Sequence, residues 1–201
     1  MKAEQPKRKE VLKSFLEKFD ISTLNPMQTE ARKAIYAGND VAVLSPTGSG
    51  KTLAFLLPII ERLDPNISEV QALVLVPSRE LAMQIEQVAR KLGSGFKINA
   101  VYGGRSGALD KADLKHRPAL LIGTPGRIAD RFRRDDIDLT RIKTLVLDEF
   151  DKSLEVGFER EMSEIVRSLG AVEQRVLTSA TDAVEIPKFL GLNDPLTIDY
   201  L

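Results

Sequence analysis

With 201 residues, the chain has room for one ordinary α/β domain and is cramped for two. Its 43% hydrophobic and 29% charged residues fit a globular protein with a real core, and 29 basic against 29 acidic side chains leave no global field drawing it onto nucleic acid or membrane. Without cysteine there is no disulfide framework or thiolate metal site, and His116, the one histidine, excludes a histidine metal cluster or a serine protease triad. The N-terminus MKAEQPKRKE has no apolar signal region, and no apolar run reaches the roughly 18 residues of a membrane helix. A soluble, cytoplasmic protein without membrane contact is expected.

In chain order, residues 1–13 carry Lys2, Lys7, Arg8, Lys9 and Lys13 against Glu4 and Glu10, with Pro6 among them. They read as a flexible basic tail leading into a helix, and residues 14–201 as the folded domain. Short β-branched runs then recur at Val41–Leu44, Ala72–Val76, Ile98–Val101, Ala119–Ile122, Thr144–Leu147, Arg175–Leu177 and Leu196–Ile198. Being apolar throughout, they suggest strands covered on both faces, as in a parallel sheet. The segments between are amphipathic at helical spacing. Leu81, Ala82, Ile85, Val88, Ala89 and Leu92 form one stripe, and Leu154, Phe158, Met162, Ile165, Val166 and Leu169 a second. The expected fold is a doubly wound, mostly parallel α/β sheet with helices on both faces and its ligand chemistry at the strands' carboxyl ends. Charge is uneven along the chain: Arg105 to Arg134 holds eight basic residues against three acidic ones.

After the strand Val41–Leu44 comes Ser45-Pro46-Thr47-Gly48-Ser49-Gly50-Lys51-Thr52 and then a run able to start a helix. Between strand and helix this is a phosphate-binding loop. Its glycines let backbone N–H groups turn around phosphate oxygens, Lys51 can reach the β/γ-phosphates, and Thr52 can ligate Mg²⁺. The usual first glycine is here Ser45. The second half of such a site is a buried strand ending in carboxylates, which Thr144-Leu145-Val146-Leu147-Asp148-Glu149 supplies. Asp148 would anchor the metal, partly through water, and Glu149 would act as general base on the attacking water. Lys51, Asp148 and Glu149 are thus the candidate catalytic residues.

The motifs continue in order with Pro77-Ser78-Arg79-Glu80-Leu81-Ala82, Gly103-Gly104, Thr124-Pro125-Gly126-Arg127, Asp148-Glu149-Phe150-Asp151 and Ser179-Ala180-Thr181, and begin with Asn25-Pro26-Met27-Gln28. From about Asp20 almost to the end, this series resembles the DEAD-box ATP-dependent RNA helicases, specifically their first RecA-like domain. The resemblance implies that Gln28 reads the adenine edge beside the loop residues Thr47, Gly48, Ser49, Gly50, Lys51 and Thr52. It implies that Pro77, Arg79, Gly104, Thr124, Pro125, Gly126 and Arg127 meet the RNA backbone without reading bases. Asp151, Ser179 and Thr181 would couple the nucleotide state to the rest of the enzyme. The implied ligands are ATP, Mg²⁺ and RNA, and the implied partner is the family's second RecA-like domain.

Three positions depart from the family pattern. Phe150 stands where alanine is usual, Leu24 where the adenine segment has proline, and no aromatic lies ahead of Phe15 to stack on the base. Phe150 is expected to be accommodated by smaller neighbours. The expected function is the ATP-binding half of an RNA helicase that unwinds duplexes or remodels ribonucleoproteins when joined to its second domain. By itself this half is expected to be monomeric and nearly inactive. The alternative is a non-catalytic RNA- or protein-binding module that keeps the fold.

Overall fold

The computed structural model describes residues 4–182, 185–192 and 194–201. Seven parallel strands form one sheet: β1 (Val41–Leu44), β2 (Ala72–Leu75), β3 (Ile98–Val101), β4 (Leu120–Gly123), β5 (Thr144–Leu147), β6 (Gln174–Ser179) and β7 (Leu196–Asp199). Their order across the sheet is β3-β4-β2-β5-β6-β1-β7. Strand side chains alternate between two apolar layers. Ala72, Val74 and Val76 face one layer with helices α1 (Glu4–Glu17), α2 (Pro26–Tyr36), α3 (Lys51–Arg62) and α4 (Arg79–Leu92). Leu73 and Leu75 face the other with α5 (Gly107–Leu114), α6 (Pro125–Arg133), α7 (Phe150–Glu155) and α8 (Glu159–Ser168). This is the doubly wound α/β sheet that the apolar runs imply.

Two expectations change. The backbone is helical from Glu4, inside the segment read as a tail, whose first residues Met1–Ala3 lie outside the described ones. Pro6 sits in the first turn, where its missing N–H removes no helical bond, and the Lys and Glu residues around it are good helix formers. The stripe from Leu154 to Leu169 is split, because Gly157 at φ +91° turns the chain between α7 and α8. Phe158 and Met162 still reach the same core layer.

Because every strand runs the same way, the motifs that follow strands emerge at one edge, and the strand order sorts them. Along that edge, β3, β4 and β2 present Gly103-Gly104, Thr124–Arg127 and Pro77–Arg79. Adjacent β5, β6 and β1 present Asp148–Asp151, Ser179–Thr181 and Ser45–Thr52.

Candidate functional site

On the β1 side, the loop after Leu44 turns through Gly48 (φ +83°) and Gly50 (φ +89°), and Gly50 caps α3 in a left-handed conformation. That left-handed φ favours glycine, and a Cβ at Gly50 would also press on the Gln28 amide. Lys51 is buried and folds back over the loop, donating to the carbonyls of Ser45 (2.5 Å) and Pro46 (3.0 Å). Burial lowers its pKa, while Asp148, Glu149 and Asp151 oppose that shift. Ser45 is buried where glycine is usual, and its hydroxyl spans the loop to the Ser49 hydroxyl at 2.6 Å. Thr47 and Gly48 are exposed at the loop's tip, and Thr52 is half-buried in the first turn of α3.

The start of α2 is tied to this loop. Asn25 Nδ2 donates to Ser49 O at 3.0 Å, and Gln28 Nε2 to Gly50 O at 3.2 Å. Gln28 also completes a capping box with Asn25: its Oε1 accepts from Asn25 N, and its own N donates to Asn25 Oδ1. The amide expected to read a base is therefore already engaged, with one N–H and one lone pair in reserve.

Asp148, 2% exposed, directly follows β5. Its carboxyl accepts from Thr178 Oγ1. Burial drives its pKa up from 3.8 to about 6, with the Thr178 bond working the other way. The same Thr178 oxygen accepts from Glu149 N at 3.0 Å, so one hydroxyl spaces the two acidic residues. Glu149 is held at φ +48° as the N-cap of α7, and Lys152 Nζ lies 2.8 Å from its Oε2. Asp151 is buried, and its Oδ2 accepts from Ala180 N (3.3 Å) and Thr181 Oγ1 (3.5 Å). Ser179 Oγ in turn donates to Thr181 O at 2.6 Å. The structure thus brings Lys51, Asp148, Glu149, Asp151, Ser179 and Thr181 to adjacent strand ends. Phe150 is buried and borders a small cavity with Ala42, Leu177, Ile186 and Thr197, so its extra volume is taken up with space remaining.

On the β3-β4-β2 side, Pro77 is half-buried and Arg79 is exposed at the head of α4, its guanidinium 2.6 Å from Glu80. Gly104 (φ +87°) lies beside it, where an added Cβ would be 3.4 Å from Arg79 Nη1. Thr124 is the N-cap of α6 yet makes no side-chain capping bond, and Pro125 occupies the first turn. The N–H of Gly126, in the same turn, has no intrahelical partner. Arg79 and Gly104 are exposed and Gly126 is half-buried, whereas Thr124 and Pro125 are buried. Arg127 differs: its Nε donates to Asp110 (2.7 Å) and its Nη2 to Arg105 O (2.9 Å). Sequence reasoning missed Thr178, Lys152, Asp110 and Gly123. A Cβ on Gly123 would meet Val101 O at 2.5 Å, a close approach signalled only by a glycine ending an apolar run.

Comparison with known proteins places these motifs in context. The family model described as DEAD/DEAH box helicase matches residues 25–188. The chain is 38% identical over 182 residues to the ATP-dependent RNA helicase DbpA of Escherichia coli (strain K12), covering 88% of this chain and 40% of that protein. It is 39% identical over 178 residues to the ATP-dependent RNA helicase CshA of Limosilactobacillus reuteri, covering 86% and 36%. A solved structure of a hypothetical ATP-dependent RNA helicase from Sulfolobus tokodaii superposes with a TM-score of 0.80 at 27% identity, covering 90% of this chain and 52% of that one. The chain therefore spans about two fifths of the length of these two relatives.

Proposed function

Since the chain belongs to the DEAD/DEAH box helicase family, we propose that it is the ATP-binding half of an RNA-dependent ATPase that unwinds or remodels RNA together with a second RecA-like domain. The observation that supports this most is the sorting of motifs along one sheet edge: the phosphate loop, Ser179–Thr181 and Asp148–Asp151 after adjacent β1, β6 and β5, and Pro77–Arg79, Thr124–Arg127 and Gly103-Gly104 after adjacent β2, β4 and β3. ATP and RNA would lie side by side there.

The residues fit a divalent cation, because Asp148 is a buried carboxylate whose charge is opposed by burial, and Asp151 Oδ1 is buried without a hydrogen-bond partner. Thr52 and Asp148 would hold Mg²⁺, the latter partly through water, and the ion would offset charge on the phosphates. Lys51 would exchange the Ser45 and Pro46 carbonyls for the β/γ-phosphates. Glu149 would leave Lys152 to take the proton of the attacking water at its carboxylate. Gln28 would use its spare N–H and lone pair on adenine, with Thr47, Gly48, Ser49 and Gly50 around the phosphates. Asp151, Ser179 and Thr181 would relay the γ-phosphate state. Arg79, Thr124 and the N–H groups of Gly104 and Gly126 would hold the RNA backbone, with Pro77, Pro125 and Arg127 shaping the surface; none is placed to demand a sequence.

Calorimetric titration with Mg·ADP and then Mg·GDP tests the nucleotide half. Preference for ADP, reduced in Gln28→Ala and abolished altogether with Lys51→Ala, is expected. Gln28→Ala also removes the reciprocal half of the capping box, the acceptor for Asn25 N, so its melting temperature is recorded alongside. Equal binding of the two nucleotides, or none at millimolar ligand, would overturn the reading.

A further inference from the structure

Asp110 belongs to no motif, lies inside α5 and is completely buried. Its Oδ2 accepts from Arg127 Nε at 2.7 Å, and Arg105 Nη1 stands 3.7 Å from its Oδ1, which has no hydrogen-bond partner. Arg127 in turn donates through Nη2 to the carbonyl of Arg105, the residue following Gly104. One carboxylate therefore joins the Gly103-Gly104 turn, which follows β3, to the first turns of α6, which follows β4. Only 17% of the Arg127 side chain is exposed, and most of its fork is spent on this internal clamp.

A buried ion pair is a poor source of stability, since desolvating both charges offsets most of their attraction; fixing one geometry against others is its better-attested use. Here the geometry fixed is the spacing between donors on two separate loops. We propose that Asp110 is a positioning residue for RNA: through Arg127 it sets the N–H of Gly104 in register with Thr124 and the N–H of Gly126, so that consecutive backbone phosphates are met together. Arg127 then works chiefly as a clamp, and Arg79 is the main charged contact. This rests on the RNA reading of the β3-β4-β2 side.

The sign of the effect makes the idea testable. Asp110→Asn removes a negative charge beside a polyanion site, so electrostatics alone would tighten RNA binding or leave it unchanged. Loss of register would weaken it. Fluorescein-labelled oligouridine is titrated at low salt by anisotropy, and Mg·ADP affinity of the same samples is measured by calorimetry. The expectation is about fivefold or greater weakening on RNA with Mg·ADP binding unchanged, while Asp135→Asn, an exposed charge nearby, gives no weakening. Should Asp110→Asn fail to fold, Arg127→Lys keeps the charge but cannot make both bonds, and the same loss is expected. Wild-type RNA affinity in the folded variants, with Arg79→Ala still weakening RNA, would overturn the positioning role and leave the RNA face standing. RNA binding indifferent to Arg79→Ala would overturn the RNA face and the proposal with it.

Discussion

Asp148 is a buried carboxylate whose charge opposes the fold that holds it. Its pKa is raised from 3.8 to about 6, so between those values the folded chain binds the proton more tightly than the unfolded one. Its contribution is therefore most favourable below pH 3.8 and is lost as pH rises through about 6. Asp148→Asn keeps the shape and an acceptor for Thr178, so it should stabilise the chain at pH 7.5 by ~1–3 kcal/mol. The gain should shrink toward pH 5, where the wild-type carboxyl is already protonated. Urea unfolding at the two pH values checks this; equal gains at both would assign the effect to packing. Phe150 leads to the opposite expectation from its family pattern. Restoring the usual alanine removes a buried ring from the α5–α8 layer, and Phe150→Ala should destabilise by ~3 kcal/mol or more in the same assay. At this scale the motif residues are legible because their chemistry is written in their types. Thr178 and Asp110 are not, since each acts through partners 30 and 17 residues away in the chain, and a threonine in a strand or an aspartate in a helix is unremarkable alone.

At the scale of elements, strands are read well because parallel strands buried on both faces must be short, continuous apolar runs. Helix limits are harder. The stripe from Leu154 to Leu169 continues in phase across Gly157, so hydrophobic periodicity alone joins α7 to α8. Only backbone geometry separates them. Gly157 sits at φ +91°, and a Cβ there would touch nothing within 4 Å. Gly157→Ala therefore isolates the cost of a left-handed conformation from any clash, and should lower stability by ~1–2 kcal/mol. For a chain of this size that is a fall in melting temperature of roughly 2–8 °C. An unchanged melting temperature would mean that α7 and α8 can fuse into one helix without loss. Composition is ambiguous at the N-terminus for the converse reason: Lys- and Glu-rich segments suit a solvated tail and an exposed helix equally, and α1 gains its place through Leu12, Phe15 and Leu16 packing on the first core layer.

For the whole molecule, the basic stretch from Arg105 to Arg134 reads in sequence as an excess of positive charge, yet the fold consumes most of it. Arg105 pairs with Asp113, Arg127 with Asp110, Arg131 with Asp130 and Asp136, Arg133 with Glu164, and Arg134 with Asp130. Asp130 is held down to about pKa 2 by its bonds to Arg131 and Arg134, so it stays charged throughout the physiological range and its partners stay occupied. On the proposed reading, the RNA face would then act mainly through backbone N–H groups, a hydroxyl and Arg79, which would bind phosphate while displacing few counterions. For single strands each neutralised phosphate adds about 0.7 to the slope of log affinity against log salt. Oligouridine binding to this chain should accordingly show a slope of only about −1 to −2. Anisotropy titrations across a range of potassium chloride measure it directly. A slope steeper than about −4 would require these arginines to abandon their internal carboxylates for RNA, and the Asp110 clamp would then open on binding instead of holding its shape.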